Sequence, residues 1–249
     1  MLKLSNVSKR YGNSPPVLQQ IDTVIDQGEF VSLIGPSGCG KSTLLKLISG
    51  LTSPGSGNIL IDGMTPVQAR RNMSYIFQDA TLLPWRTVAR NVGLGLELEH
   101  VSRKVREQTV QSLIELVGLS HVSRAYPRQL SGGMKMRVSV ARALATKPNL
   151  LLMDEPFGAL DEMTRDRLNE ELLRLRAEQD WTAVFVTHSV AEAVFLSTRI
   201  IVLAPSPGRI AQEITIPLPF PRTSVTRESE QFESLVTEVS RALRGVRSA

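Results

Sequence analysis

The stretch FVSLIGPSGCGKSTLLKLISG, residues 30 to 50, predicts a strand, a glycine-rich loop and a helix in direct succession. Its loop, GPSGCGKST at residues 35 to 43, matches the pattern G-x-x-x-x-G-K-S/T in the strand-to-helix setting that this pattern requires. Three glycines let backbone N–H groups wrap phosphates, Lys41 can reach the β- and γ-phosphates, and the Ser42 hydroxyl can ligate Mg²⁺. A plain glycine turn is the alternative, but the stretch favours a nucleoside triphosphate site. Its candidate binding residues are Gly35, Pro36, Ser37, Gly38, Cys39, Gly40, Lys41, Ser42 and Thr43.

A second apolar strand ends in two acids. The segment NLLLMDEPFGALD, residues 149 to 161, runs through a buried-strand pattern into Asp154 and Glu155. Because parallel strands present their carboxyl ends at one edge of a sheet, we expect these carboxylates beside the phosphate loop. One of them should hold Mg²⁺, directly or through water, and the other can orient and deprotonate the attacking water. An apolar strand entering a solvated turn has the same pattern, so it is the phosphate loop that favours the catalytic interpretation.

Three further polar residues at strand ends are ambiguous by themselves. His188 closes TAVFVTH, residues 182 to 188, and Gln78 closes NMSYIFQ, residues 72 to 78. A lone histidine or glutamine at such a place is more often structural than catalytic. Tyr11, at the end of the first strand pattern, is either a rim residue or an aromatic ring that stacks on a base.

The stretch QLSGGMKMRVSVARAL, residues 129 to 144, has the features of a second anion-binding device. Ser131, Gly132 and Gly133 lead straight into a helix pattern. Unpaired N–H groups at a helix N-terminus point outward, and glycines let the backbone come close to a ligand. Since the chain already has a stronger phosphate loop, these residues alone leave open which phosphate the second device serves.

Apolar strands and helix patterns alternate along most of the chain. This alternation argues for a parallel sheet that is covered on both faces. Residues 86 to 146 are mainly helical in pattern, and a long polar helix is predicted from Glu162 to about Gln179. A terminal helix with an apolar stripe follows a proline-rich link and should pack on the body. We therefore expect a main domain over residues 1–221 and a helical tail over residues 222–249.

Composition and charge indicate an ordinary globular chain. It has 249 residues, of which 42% are hydrophobic, and a net charge of +5. The densest basic stretches, residues 103–106 and 135–142, alternate with apolar residues on helix patterns, so we interpret them as solvated helix faces and expect no nucleic-acid partner. No N-terminal segment resembles a signal peptide and no apolar run is long enough to span a bilayer, which predicts a cytoplasmic protein.

Cys39 is the only cysteine, and it lies inside the phosphate loop. A single cysteine excludes an internal disulfide framework and a cysteine-based zinc site. A helix N-terminus favours the thiolate form, so the thiol is either reactive and protected by the bound nucleotide or an inert small filler.

The order of these motifs resembles that of the ATPase subunit of an ATP-binding cassette (ABC) transporter. The resemblance covers about residues 1 to 216. It implies an α/β fold: a P-loop nucleoside triphosphatase core with a parallel sheet, an N-terminal antiparallel β subdomain, and an α-helical subdomain at about 86–146 that carries the Ser-Gly-Gly signature. It also implies ATP and Mg²⁺ as the bound nucleotide and ion.

The same resemblance implies a role for each matching residue. Tyr11 stacks on adenine, Gln78 ligates Mg²⁺ and senses the partner, and Glu155 is the general base. His188 contacts the γ-phosphate, and Asp161 communicates across a dimer. The implied sets are catalytic Lys41, Gln78, Glu155 and His188, nucleotide-binding Tyr11, Gln78, Asp154 and His188 with the loop residues, and metal-ligating Ser42, Gln78 and Asp154.

A dimer gives the second anion-binding device its implied purpose. In the family, two cassettes pack head to tail, and the Ser-Gly-Gly segment of one closes over the γ-phosphate held by the other. Ser131, Gly132, Gly133 and Asp161 are therefore expected to act in trans in a homodimer. The commonest family pattern has glutamine where this sequence has Met134, so no amide hydrogen bonds are expected from that side chain.

The segments QDATLLPWRTVARNV, LSGGMKMRVSVARAL and PSPGRIAQEI are similar to those of importers of nitrate, taurine and alkanesulfonates. Close relatives in that group carry pyrimidine-type vitamin precursors, so the similarity does not name one solute. This similarity implies a peripheral subunit on the cytoplasmic face of the inner membrane. Such a subunit docks on a separate integral permease and works indirectly with an extracytoplasmic solute-binding protein. An exporter ATPase and a soluble non-transport cassette ATPase are the alternatives. The apolar loop from Leu82 to Trp85 either contacts the permease or packs under the helical subdomain.

Overall fold

Two β-sheets and the helices around them make up residues 1–178 and 181–246, the part of the chain that the computed structural model describes. The strands are β1 (Leu2–Lys9), β2 (Leu18–Ile25), β3 (Phe30–Ile34), β4 (Ser56–Ile61), β5 (Met73–Ile76), β6 (Leu150–Asp154), β7 (Thr182–Val186), β8 (Arg199–Ala204) and β9 (Arg209–Thr215). The α-helices are α1 (Lys41–Ile48), α2 (Val88–Val92), α3 (Leu94–Leu98), α4 (Arg103–Leu116), α5 (Gly132–Ala145), α6 (Glu162–Glu178), α7 (Val190–Leu196), α8 (Ser224–Arg227) and α9 (Glu230–Gly245). The predicted helix end at Gln179 and the last tail residues, 247–249, lie outside the described residues. No helix within the described ranges has the length and apolar character needed to cross a bilayer.

The larger sheet has the strand order β5-β6-β7-β3-β8-β9. Neighbouring strands are parallel from β5 to β8, whereas the edge strand β9 pairs antiparallel with β8. Every residue of β3, β6 and β7 is buried. This confirms the prediction from their continuous apolar runs, which are typical of strands covered on both faces of the sheet. The sequence did not predict β9, because most of its residues are exposed and form no apolar run.

The register of this sheet brings three strand ends to one level. Leu33 of β3 and Asp154 of β6 both lie opposite Val186 of β7. The phosphate loop after β3, the acids at the end of β6 and His188 just beyond β7 therefore share the carboxyl edge of the sheet. Ligands of open α/β sheets bind at this edge.

The smaller sheet, with the order β2-β1-β4, is antiparallel. Its buried face shares an apolar cluster with α1 and with one face of the larger sheet. Helices α2, α4 and α5 contribute to a second cluster on the opposite face, together with β6 and β7. These layers confirm the predicted fold class, in which a parallel-sheet core carries an antiparallel β subdomain and a helical subdomain.

The tail covers α7 and caps its end. Helix α9 packs on α7 through the predicted apolar stripe, and its buried residues are Phe232, Leu235 and Val239. The buried Arg222 donates to the carbonyl oxygens of Val194, Phe195 and Ser197 at the C-terminal end of α7. Carbonyls in a last helical turn have no partner within the helix and favour a nearby cation. The tail therefore supplies the hydrogen-bond donors that the last carbonyl groups of α7 lack within the helix.

Candidate nucleotide site

The loop between β3 and α1 has the backbone of a phosphate cradle. Gly40 has a φ of 98° and Gly38 a φ of 80°, both in the left-handed region that glycine adopts readily. A Cβ on Gly40 would lie 2.6 Å from Leu18 Cδ2, so packing also requires a glycine there. A Cβ on Gly38 would meet nothing within 4 Å, which leaves the backbone at this position accessible to a ligand.

Lys41 is buried at the start of α1 and places its ammonium group inside the loop. Its Nζ donates to the carbonyl oxygen of Gly35 at 2.9 Å and to that of Pro36 at 3.0 Å. The third contact, to Cys39 Sγ at 3.8 Å, is with a weak acceptor. Since an ammonium group has three donors, one of them lacks a strong partner and suits a phosphate oxygen.

Ser42 and Asp154 meet where the loop passes the end of β6. Ser42 Oγ donates to Asp154 Oδ1 at 2.9 Å, and Asp154 Oδ2 accepts from the Tyr75 hydroxyl at 3.4 Å. Burial and the Asp154 carboxylate raise the pKa of the Tyr75 phenol, which keeps it a protonated donor. Sequence reasoning missed Tyr75. The sequence signal that could have found it is a tyrosine within a predicted strand, because a covered tyrosine hydroxyl usually has a hydrogen-bond partner.

Glu155 joins polar residues that follow three different strands. Its Oε1 lies 2.6 Å from His188 Nε2, and its Oε2 accepts from Gln78 Nε2 at 3.3 Å. The Glu155 backbone has a φ of 51°, which is uncommon outside glycine, and its N–H donates to the carbonyl of Val186. Strained backbone of this kind is often found at functional sites. The structure thus brings together the glutamine, the glutamate and the histidine that were ambiguous or weak as single signals.

The side chains beside the loop suit Mg²⁺ together with nucleotide phosphates. Mg²⁺ prefers oxygen ligands and is commonly bound by one or two carboxylates plus phosphate oxygens. The Ser42 hydroxyl and the Asp154 carboxylate are in contact, and Gln78 contacts the residue that follows Asp154. Among residues 1–178 and 181–246, no three His, Cys, Asp or Glu side chains are grouped to hold a metal. The donor set therefore fits an ion that completes its shell with phosphates and water.

Tyr11 lies on an exposed turn after β1. The residue is 45% exposed, and Lys9 Nζ is 5.0 Å from the centre of its ring. An exposed aromatic ring beside a cation can stack on a flat base. The role of Tyr11 in holding adenine stays a prediction.

Ser131, Gly132 and Gly133 form the start of α5. Ser131 Oγ caps this helix by accepting the N–H of Met134 at 3.3 Å. A Cβ on Gly132 would meet nothing within 4 Å, whereas one on Gly133 would lie 3.1 Å from Leu160 Cδ2. In the part of the chain that the structure describes, no hydrogen bond or ion pair joins these three residues to the phosphate loop of the same chain. The two anion-binding segments of one chain are therefore not linked directly.

Neighbours of this segment are held by their own helices. The Met134 side chain is partly buried and packs against the larger apolar cluster, so it serves as a packing residue. The exposed Asp161 caps α6 by accepting the N–H of Thr164 at 2.9 Å, and this bond lowers the pKa of its carboxyl group.

The hypothesis of a reactive Cys39 is wrong. The residue is fully buried, and burial raises the pKa of its thiol despite the opposing effect of Lys41. A Cβ on Gly35 would lie only 2.7 Å from Cys39 Sγ, which shows how closely the loop packs around the sulfur. Tertiary packing therefore outweighs the influence of the helix N-terminus, and Cys39 is a small filler.

The loop from Leu82 to Trp85 divides between core and surface. Leu82 packs against the apolar cluster, whereas Trp85 is 70% exposed. The buried Asn91 fixes the loop by donating to the carbonyl oxygens of Leu83 and Arg86. Trp85 borders an open groove of about 920 Å³ that is lined by residues of α2 and α4. Leu82 therefore packs under the helical subdomain, whereas Trp85 does not.

Known proteins resemble this chain over nearly its whole length. A family model described as "ABC transporter" matches residues 18–158. The chain is 42% identical to the aliphatic sulfonates import ATP-binding protein SsuB of Bacillus cereus, over 96% of this chain and 94% of that protein. It is 44% identical to the nitrate import ATP-binding protein NrtD of Synechocystis, over 96% of this chain and 91% of that protein. A dimeric structure of the ATP-binding cassette MJ0796, in a post-hydrolysis state with ADP and Pi, superposes with a TM-score of 0.81 at 34% identity and covers 88% of this chain and 100% of that one. The chain belongs to the ABC transporter family, and it is an ATP-hydrolysing cassette of that family.

Proposed function

We propose that this chain is the ATPase subunit of an importer, that it works as a head-to-tail homodimer, and that it drives solute uptake through a separate permease. The observation that carries the catalytic part is the contact of Glu155 with both Gln78 and His188, next to the Ser42–Asp154 pair. A base, an amide, an imidazole and a hydroxyl–carboxylate pair meet at the edge of the sheet where the phosphate loop begins.

Glu155 is the proposed general base for the attacking water. Each of its oxygens has one partner in the structure, and a carboxylate accepts about four hydrogen bonds, so water can bind as well. Phosphoryl transfer depends mainly on positioning and on compensation of negative charge. Lys41 and the loop N–H groups hold the phosphates, and His188 contacts the γ-phosphate while it also fixes the direction of Glu155.

The remaining nucleotide contacts follow from the side chains around the loop. Ser42, Asp154 and Gln78 would hold Mg²⁺, which neutralises negative charge on the phosphate oxygens when bound. Tyr11 would stack on adenine. Tyr75 would hold the Asp154 carboxylate in place, because it donates to the oxygen that Ser42 does not use.

The exposed start of α5 supports a dimer in which each site is composite. Ser131 and Gly132 are exposed, and the N–H groups there make no described contact with the nucleotide loop of their own chain. A solved relative, MJ0796, is dimeric. Ser131, Gly132 and Gly133 would bind the γ-phosphate held by the partner copy, and Asp161 would lie beside them because Gly133 packs on Leu160.

Relatives that import nitrate or aliphatic sulfonates support an importer of small anions. The chain would lie on the cytoplasmic face of the inner membrane and act on solute that an extracytoplasmic binding protein delivers. Nitrate, taurine and alkanesulfonates are the proposed solutes. Residues 1–221 would form the cassette, with residues 222–249 as its tail. The exposed Trp85, at the rim of the groove along α2 and α4, is the proposed anchor for the permease.

The experiment is uptake into proteoliposomes that hold the chain with its permease and have the solute-binding protein on the opposite side of the membrane. Labelled nitrate, taurine and an alkanesulfonate should be tested with ATP on the cassette side. We expect uptake of one of them, and none when the cassette carries Glu155→Gln. ATP-driven movement in the opposite direction would contradict an importer, and a chain that hydrolyses ATP but never assembles with the permease would contradict a transport subunit.

Two matched variants test the docking residue. Trp85→Ala should reduce co-purification with the permease, whereas Val225→Ala, at a 71% exposed residue of the tail, should not. Truncation of an exposed side chain changes folding stability by no more than about 0.5 kcal/mol, so both variants should melt close to the unaltered chain. Unchanged permease binding by Trp85→Ala would rule out this anchor.

A further inference from the structure

Helix α7 contains a buried carboxylate that the nucleotide site does not use. Glu192 is 5% exposed, and burial raises the pKa of its carboxyl group. Glutamate is rarely buried unless it is paired, because removing a charge from water has a large free-energy cost. The partners of Glu192 therefore indicate why it is there.

One oxygen of Glu192 holds the residue that precedes His188. Thr187 Oγ1 donates to Glu192 Oε2 at 2.5 Å, and the same hydroxyl oxygen accepts the N–H of Ser189 at 3.0 Å. These bonds hold the backbone on both sides of His188. His188 in turn contacts Glu155 Oε1 at 2.6 Å. The direction of the His188 side chain therefore depends on the buried carboxylate.

The other oxygen of Glu192 faces the start of α6. Its Oε1 lies 3.5 Å from Arg165 Nε in an ion pair whose atoms are not aligned for a hydrogen bond. Arg165 Nη2 donates to the carbonyl oxygen of Leu160 at 2.9 Å. Leu160 precedes Asp161, and its side chain is the one that Gly133 packs against. One carboxylate is thereby joined to the loop of Asp161 and to the loop of His188.

We infer that Glu192, with Arg165 and Thr187, is a positioning relay between these two loops. The inference rests on the proposed function, in which Asp161 faces the partner copy and His188 contacts the γ-phosphate. A displacement of residues 160–161 on dimer closure moves the Arg165 guanidinium, and Glu192 passes the movement to Thr187. His188 and Glu155 therefore reach their working geometry only when the partner is in place.

A double-mutant cycle on turnover tests the relay. Thr187→Val removes the hydroxyl at nearly constant shape, and Arg165→Met removes the guanidinium while it keeps a long apolar stem. Each should lower kcat about tenfold to a hundredfold, the effect of a small misplacement of a catalytic group, and leave ATP affinity within about twofold. Because the residues act in series, the double variant should lose little more than the worse single one. Thr187→Ser keeps the hydroxyl and should turn over at nearly the unaltered rate.

Controls separate the relay from general damage and from the proposed function. Arg174→Met removes an arginine from an ion pair with Glu171 further along α6 and should leave kcat unchanged. Melting curves give the folded fraction by which each rate is divided. Multiplicative losses in the double variant, or rates per folded molecule that match the unaltered chain, would overturn the relay. An unaltered chain that binds no ATP, or for which His188→Ala is harmless, would instead overturn the proposed function.

Discussion

The two predicted anion-binding segments of this chain, the phosphate loop and the start of α5, differ in how much of their environment the chain itself provides. The phosphate loop and the residues around it bond to one another: Lys41 to loop carbonyls, Ser42 to Asp154, and Glu155 to Gln78 and His188. The start of α5 has one internal capping bond, from Met134 to Ser131. The first segment holds its proposed catalytic groups in place within one chain, whereas the second displays N–H groups for which, in the proposed dimer, the other chain brings the ligand.

The largest effect is expected when the site around the phosphate loop loses Glu155, its proposed general base. Glu155→Gln keeps the size of the side chain but removes the proton acceptor, so turnover should fall about 10²- to 10⁴-fold while ATP still binds. Closed dimers should then accumulate with ATP and appear in size-exclusion chromatography. An inactive variant that stays monomeric at saturating ATP would break the proposed link between closure and hydrolysis.

A large effect is also expected at the exposed segment, but without loss of nucleotide. Ser131→Arg places a bulky side chain where the partner's phosphate would bind, so hydrolysis should fall about 10²- to 10³-fold, as when donors to a transition state are removed. ATP affinity of the single chain should stay within about twofold. Rates and nucleotide binding should be measured on the same samples.

Ser131→Ala is the matched control for that substitution. It removes the same helix cap, at about 1 kcal/mol of stability, but keeps the helix N–H groups and the open space. Hydrolysis by Ser131→Ala should therefore be closer to that of the unaltered chain. Equal collapse in both variants would mean that the cap, and not access to the phosphate, is what matters.

A smaller effect is expected from Tyr75→Phe, which tests how strongly hydrogen bonds within the chain hold the side chains around the phosphate loop in place. The change removes the donor to Asp154 Oδ2 and keeps the ring that stacks on Phe77. Loss of a residue that orients a metal ligand commonly weakens metal affinity about tenfold or more. The hydrogen bond from the Tyr75 hydroxyl is long, at 3.4 Å, so we expect a loss of magnesium affinity near tenfold. A magnesium titration of the ATPase rate measures the shift, and an unchanged midpoint would show that Ser42 alone orients Asp154.

The smallest effect is expected at Cys39. Its thiol is buried and its pKa is raised, so a maleimide should modify the folded chain far more slowly than the unfolded chain. ATP should change that rate little, because the thiol is covered in the absence of nucleotide. Rapid modification that ATP prevents would restore the reactive thiol and show that the loop opens.

Local sequence was enough to predict the parts whose chemistry is encoded in a few adjacent residues. Residues 35 to 43 need glycines for backbone geometry, and apolar runs that end in acids specify buried strands with polar ends. The parallel sheet covered on both faces followed from the alternation of such runs with helix patterns, whereas the antiparallel β subdomain was implied by the family resemblance. The common level of Leu33, Asp154 and Val186 then brought together residues that were weak signals one at a time.

Features that depend on packing between distant segments could not be predicted in this way. Cys39 is buried because distant parts of the chain enclose it: the carbonyl of Leu203 lies beside Gly35, and Gly208 packs against the carbonyl of Cys39. Tyr75 matters through Asp154, 79 residues away, and Glu192 through the ion pair with Arg165. Strand β9 pairs at an edge with mostly exposed residues, so no apolar pattern marks it.

The most direct test of the composite site mixes two inactive variants. Ser131→Arg and Lys41→Ala homodimers should each fail to hydrolyse ATP, the first through its exposed segment and the second through its phosphate loop. In a two-fold dimer, a mixed pair places both defects in one site and leaves the other site intact, so equal mixing should restore about a quarter of the unaltered activity. Restored hydrolysis is the result that this account predicts. A mixture that stays inactive although mixed dimers are recovered would contradict a site shared between two chains.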